Sequence, residues 1–315
     1  MSELSTFAGS DEAKNTLHTA LQNASLPHAV LICAPDGCGR NHFARCLAAD
    51  YLYPEGGAGA AAVLRGESTE VLLAEGEGKK GQIPVARIRA VRSDVFLSSL
   101  SAAGRVVHIR DAHRMAAPAY NALLKVLEEP PSDVLFILTA QSAGALPATI
   151  VSRCACYRLV PLSPAQCRGI LAQHSGECEP TLPDFLAAVY DGRLGLCLAA
   201  LGNAPRMAIL QDAAALVKAA TAQNEYALLC LLVGYESRAE GDRERRENLL
   251  FDVTCILDAA LRGVQAPGLP TLPAEAAALL LGPVAEATAA LGGNAAPKIT
   301  LTALVVALAR AGAPL

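Results

Sequence analysis

Residues 28–41 constrain the fold more than any other stretch of this chain. The run His28-Ala29-Val30-Leu31-Ile32-Cys33 has no polar face, so it suits a strand covered on both sides. Pro35-Asp36-Gly37-Cys38-Gly39 then breaks the chain in a turn, and apolar residues return at helical spacing through Phe43, Cys46 and Leu47. Strand, glycine turn and helix in that order form a phosphate-loop arrangement. A helix over 11–21, closed by Pro27, precedes it.

Strands and helices go on alternating. Segment 53–81 is rich in Gly and Ala with weak periodicity, which predicts a loop or irregular insertion carrying a short strand near Val71 to Ala74. Pro84 opens a helix bearing Ile88, Val91, Val95 and Phe96, and Arg105-Val106-Val107-His108-Ile109 is a second buried strand. A helix from about Ala116 stops at Pro130-Pro131, because two prolines cannot continue the hydrogen-bond ladder. Val134 to Leu138 and Cys154 to Val160 supply further strands. Such alternation predicts a parallel α/β sheet with helices on both faces.

Pro161-Leu162-Ser163-Pro164 reads as a linker, and no strand pattern follows it. The expected organisation is an α/β domain over 1–162, a small helical unit over 163–204 punctuated by Gly176, and an all-helical part over 205–315. Helices are predicted at about 206–220, 225–234, 243–264, 273–290 and 298–311, with the charge run Glu236 to Glu247 as a solvated connection and helix start. With 52% hydrophobic and 18% charged residues, the 315-residue chain has the apolar surface such cores need.

Composition also narrows function. No run of about 18 consecutive apolar residues occurs, and Met1-Ser2-Glu3-Leu4 lacks the features of a secretory signal, so no membrane contact and a cytoplasmic location are expected. Ten scattered cysteines then read as reduced thiols. A net charge of -4 argues against a chain that grips nucleic acid by itself, since neutralising phosphates takes concentrated Lys and Arg.

A working phosphate loop reads G-x-x-x-x-G-K-S/T, with backbone N–H groups around the phosphates, Lys on the terminal ones and the hydroxyl on Mg²⁺. Here the span is Ala34-Pro35-Asp36-Gly37-Cys38-Gly39-Arg40-Asn41, and of the defining positions only Gly39 survives. Arg40 keeps a cation without the compact ammonium, and Asn41 offers an amide in place of the hydroxyl. Gly37 and Gly39 still suit an anion nest. A second defect is independent of the first. Nucleotide hydrolases of this kind end the next core strand in an acidic pair, whereas this chain has Arg110-Asp111, a cation where the metal ligand belongs. The simpler reading of Asp111 is a cap or surface carboxylate rather than a surviving base.

Two further blocks carry a resemblance. Asn121-Ala122-Leu123-Leu124-Lys125-Val126-Leu127-Glu128-Glu129-Pro130-Pro131, followed by Leu146-Pro147-Ala148-Thr149-Ile150-Val151-Ser152-Arg153-Cys154, resembles the bacterial clamp-loader branch of the AAA+ superfamily from about Pro27 to Leu162. The resemblance implies a RecA-like α/β domain, a small helical lid and a C-terminal helical collar that assembles with other subunits. It further implies a non-catalytic member of the DNA polymerase III clamp loader. Its partners would be tau/gamma-type ATPase subunits, the delta subunit, the sliding clamp and, through the complex, primed DNA.

In that family the Arg of the S-R-C motif reaches into the neighbouring subunit's ATP site, and the matching residue here is Arg153, with Ser152 and Cys154 as its setting. A guanidinium placed against a transferring phosphoryl group stabilises its developing charge. Glu128 and Glu129 read as a solvated helix end or as part of a subunit junction, and His28 as a packed or capping histidine. The family's second sensing Arg falls on Gly195 in Gly192-Arg193-Leu194-Gly195, a third defect. Many members bind zinc through four cysteines in the segment after the phosphate-loop helix. This chain has no cysteine between Cys46 and Cys154, so no metal and no cofactor of its own is expected, ATP being bound by the partners. Two other classes remain open, an active AAA+ ATPase with an unconventional site and a DNA-binding adaptor.

Overall fold

A computed structural model describes residues 2–78, 81–95, 104–174, 179–237, 239, 241–293 and 295–311. Phe96 and Gly176, to which the sequence pattern gave places, lie outside the described residues. The chain divides into two compact units, Met1–Leu162 and Ser163–Leu315.

In the first unit β1 (Ala29–Cys33), β2 (Val71–Ala74), β3 (Arg105–Ile109), β4 (Val134–Ala140) and β5 (Ala155–Arg158) form one parallel sheet in the order β2-β3-β4-β1-β5. Every residue of β1 and β4 is buried, which accounts for their unbroken apolar runs. Successive side chains go to opposite faces. Leu31, Val107, Ile109, Phe136 and Leu138 pack with α5 (Val85–Val95) and α6 (Ala117–Glu128). Val30, Ile32, Val106, Leu135 and Ile137 pack with α2 (Asp11–Gln22), α3 (Arg40–Leu52) and α4 (Ala58–Arg65).

Within 53–81 the short strand expected near Val71 to Ala74 is β2, while the helix α4 corrects the expectation of a loop or irregular insertion before it. Alanine is the best helix former, but a segment built of Ala and Gly has too few large side chains to display a period. Ala60 and Val63 bury its inner face, and Gly66, at φ 79, ends it in the left-handed conformation that favours glycine. Asp50 of α3 caps the short α1 (Glu3–Thr6) from a distance, accepting hydrogen bonds from the backbone N–H of Glu3 at 2.6 Å and of Leu4 at 3.0 Å.

The second unit contains α8 (Pro164–His174), α9 (Leu182–Val189), α10 (Leu194–Leu201), α11 (Ala204–Thr221), α12 (Glu225–Val233), α13 (Asp242–Leu261), α14 (Ala274–Gly292) and α15 (Pro297–Ala311), with no strand among the described residues. Its centre holds a polar cluster. Fully buried Asp252 of α13 accepts from the Tyr190 hydroxyl at 2.9 Å and from both terminal nitrogens of Arg206 on α11, Nη2 at 2.6 Å. One member of the charge run is likewise internal. Arg246 is buried and donates to the Tyr235 and Ser237 carbonyls, so the run is not wholly a solvated connection. α14 is long and apolar enough to cross a membrane by length and composition; it carries Glu275, Pro283 and Glu286 and packs against α13 and α15 through Ala277, Leu280, Val284 and Ala287.

Candidate functional site

The loop after β1 turns on two glycines, and the first side chain of the helix that follows folds back against it. Gly37 and Gly39 lie at φ 86 and 77, and Gly39 leads into α3 as its N-cap. Arg40 is the first residue of that helix, and its side chain is only 8% exposed. The guanidinium turns inward. Nε and Nη2 donate to Asp111 Oδ1 at 3.0 and 2.6 Å, while Nη1 donates to the Ala34 carbonyl at 3.2 Å and sits 2.7 Å from Asp36 Oδ1. Burial opposes the charge, but hydrogen bonds to Asp111 and Asp36 outweigh it and hold the Arg40 pKa above its ordinary value.

Neighbouring groups lock this arrangement. The Asp111 N–H donates to Thr139 Oγ1 at 2.9 Å, and Thr139 donates on to Asn41 Oδ1 at 2.8 Å. Gln141 Nε2 reaches Asp36 Oδ2 at 2.9 Å. Asp111 stands at the N-cap position of the short turn that follows, but its carboxylate is turned inward rather than to the surface. Its side chain is 16% exposed, makes no capping bond to the short turn it precedes and serves as the inner half of an ion pair. Arg110 points away, donating to exposed Glu75 at 3.2 Å. An incoming phosphate would meet a cation already neutralised by two carboxylates that repel it.

Arg153 occupies a different place. It follows α7 (Ala148–Val151) in the turn before β5, with its side chain 35% exposed. Nη1 donates to the Thr149 carbonyl at 2.9 Å, and Nη2 donates to Glu128 Oε1 at 2.6 Å. Ser152 Oγ donates back to the Thr149 carbonyl at 3.2 Å, closing the turn. Burial, with Cys156 and Cys33 nearby, pushes the Cys154 thiol up to about 12, so it stays protonated at neutral pH. Glu128 ends α6, and His28 Nε2 lies 3.2 Å from the Leu127 carbonyl in the same last turn.

Parallel strands separate these two places. Residues 34–41 follow β1 and Asp111 follows β3, so both lie at the carboxyl edge of the sheet, whereas Arg153 precedes β5 and Glu128 precedes β4 at the amino edge. A five-residue strand sets them on the order of 15 Å apart. An open cleft of about 780 Å³ also lies at the amino edge, lined by His18, His28, Tyr51, Pro130 and Asp133 among others, and none of residues 34–41 lines it.

Sequence reasoning singled out neither Asp36 nor Thr139. Asp36 and Arg40 are spaced i,i+4, a pairing distance, and Thr139 is a lone hydroxyl near the end of an apolar strand beside the loop. Both signals were present in the residues.

A sheet in this order, a loop of this shape after its second-from-edge strand β1, and a helical second unit define an α/β RecA-like AAA+ domain followed by helices. The fold is shared with a DNA polymerase III gamma subunit-related protein from Thermotoga maritima, at TM-score 0.56 and 17% identity, over 94% of this chain and 99% of that one. Residues 9–163 match the family model described as DNA polymerase III, delta subunit. The delta' subunit of DNA polymerase III from Bacillus subtilis is 30% identical over 155 residues, 47% of this chain and 46% of that protein. The tau subunit from the same organism is 29% identical over 154 residues, 46% of this chain and 27% of the relative. The match thus spans less than half of either relative's length. Over this α/β unit the chain is similar to clamp-loader subunits of DNA polymerase III.

Proposed function

We propose that this chain is a delta-prime-type subunit of the clamp loader, which hydrolyses no ATP and lends Arg153 to the ATP site of a tau/gamma-type neighbour. The observation that carries the reading is the Arg40 side chain, buried in its own loop between Asp111 and Asp36. The position of Arg153 supports action in trans, because it lies at the edge of the sheet opposite to the chain's own loop. On this reading 163–204 is a lid and 205–315 a collar through which the subunit assembles with its partners, delta included. The complex as a whole opens the sliding clamp and sets it on primed DNA.

Titrating Mg–ATP into the purified chain tests the first half: neither saturable binding nor turnover is expected, and turnover would favour an unconventional ATPase. The second half is tested in a complex reconstituted with tau/gamma-type subunits. Arg153→Ala should leave assembly intact and slow DNA-stimulated hydrolysis at the site it serves by about 10³–10⁵. Unchanged hydrolysis and clamp loading would remove the finger assignment. Salt-sensitive DNA binding by the isolated chain would instead favour an adaptor.

A further inference from the structure

The Arg153 side chain is restrained by two separate elements. Thr149 of α7 offers a carbonyl to Nη1, and Glu128 at the end of α6 offers a carboxylate to Nη2. Ser152 Oγ lies 3.5 Å from Nη1 as a third, longer contact. A guanidinium carries five N–H groups, so two remain for an incoming oxyanion. Without the carboxylate only the Nη1 contacts with Thr149 and Ser152 would remain, and the long side chain would sample more rotamers about them. The pair also explains a carboxylate at a helix carboxyl terminus, where the helix dipole disfavours negative charge and a cation is the favourable partner.

We propose that Glu128 is a positioning residue for Arg153, fixing the guanidinium in the pose from which it meets a neighbouring subunit's triphosphate. This inference rests on the reading of Arg153 as a finger. Glu128 touches no reacting atom and acts only through the arginine. Orientation matters because small misplacements of a charge-stabilising group weaken the transition state more than the ground state.

The test uses the reconstituted complex with Glu128→Ala, Glu128→Gln, Arg153→Ala and the double variant E128A/R153A, reading kcat and KM of DNA-stimulated ATP hydrolysis. Glu128 is 49% exposed, so folding and assembly should be unchanged in a thermal melt and by gel filtration. E128A should lower kcat about threefold to tenfold with KM little altered, the scale of an exposed charged hydrogen bond. E128Q keeps the Oε1 acceptor and should retain most of the activity. In the R153A background the alanine at 128 should add nothing. If R153A is impaired while E128A equals or exceeds the unmodified complex, positioning is overturned and the carboxylate is instead inert or a restraint. If R153A itself is unimpaired, the finger reading falls and this inference falls with it.

Discussion

Asp111 Oδ1 accepts two hydrogen bonds from Arg40, one from Nε and one from Nη2, and so ties the end of β3 to the start of α3 across 71 residues of sequence. Removing one member of such a pair leaves the other's charge poorly compensated. Arg40→Ala should therefore destabilise the first unit by about 2 kcal/mol, less than the 3–5 kcal/mol of a wholly buried pair because Asp111 keeps some access to water. A lowered urea midpoint with an unchanged slope is the outcome that checks it. ATP binding should not appear, since Asp111 and Asp36 remain.

His108 makes the α/β unit sensitive to mild acid. It is fully buried beneath α3, its Nε2 has no hydrogen-bond partner among the described residues, and burial, aided by Arg45 and Arg110, lowers its pKa to about 4. The unfolded chain has the ordinary value near 6.5, so between the two values the unfolded state binds the extra proton. Stability from this group is complete above about pH 6.5 and declines as pH falls to about 4, by about 3 kcal/mol in all. Denaturant unfolding of His108→Leu at a series of pH values should show a flatter dependence in that window than the unmodified chain.

The second unit depends on its buried carboxylate. Burial raises the Asp252 pKa, with Arg206 and Tyr190 opposing the rise through hydrogen bonds. Asp252→Ala would strand Arg206 and should cost about 3–5 kcal/mol. Adding Arg206→Met should return part of that loss, because two apolar groups leave no orphaned charge. Thermal midpoints of the single and double variants measure the coupling.

Most strands could be read from the residues because burial on both faces removes polar positions, as in Val30 to Ile32 and Leu135 to Leu138. The helix α4 escaped because its docking surface, not its own pattern, defines it. In the site, the loss of Lys and hydroxyl from the phosphate loop was visible residue by residue, but the inward turn of Arg40 was not. That turn needs Asp111, which the parallel sheet delivers from β3, and linear order carries no trace of the approach. Glu128 is a similar case, 25 positions from Arg153 and beside it only because α6 and β5 reach the same edge. Arg246 shows the reverse error, a charge that composition sends to solvent and the fold keeps inside.

The placement of Arg40 and Arg153 at opposite rims of one sheet gives the molecule a direction. On the proposed reading it can give to the unit on one side and has nothing to receive from the unit on the other. A row of givers and receivers has no fixed beginning, but a member that only gives can stand nowhere except at its head. Such a terminus would set the order in which the remaining sites are counted.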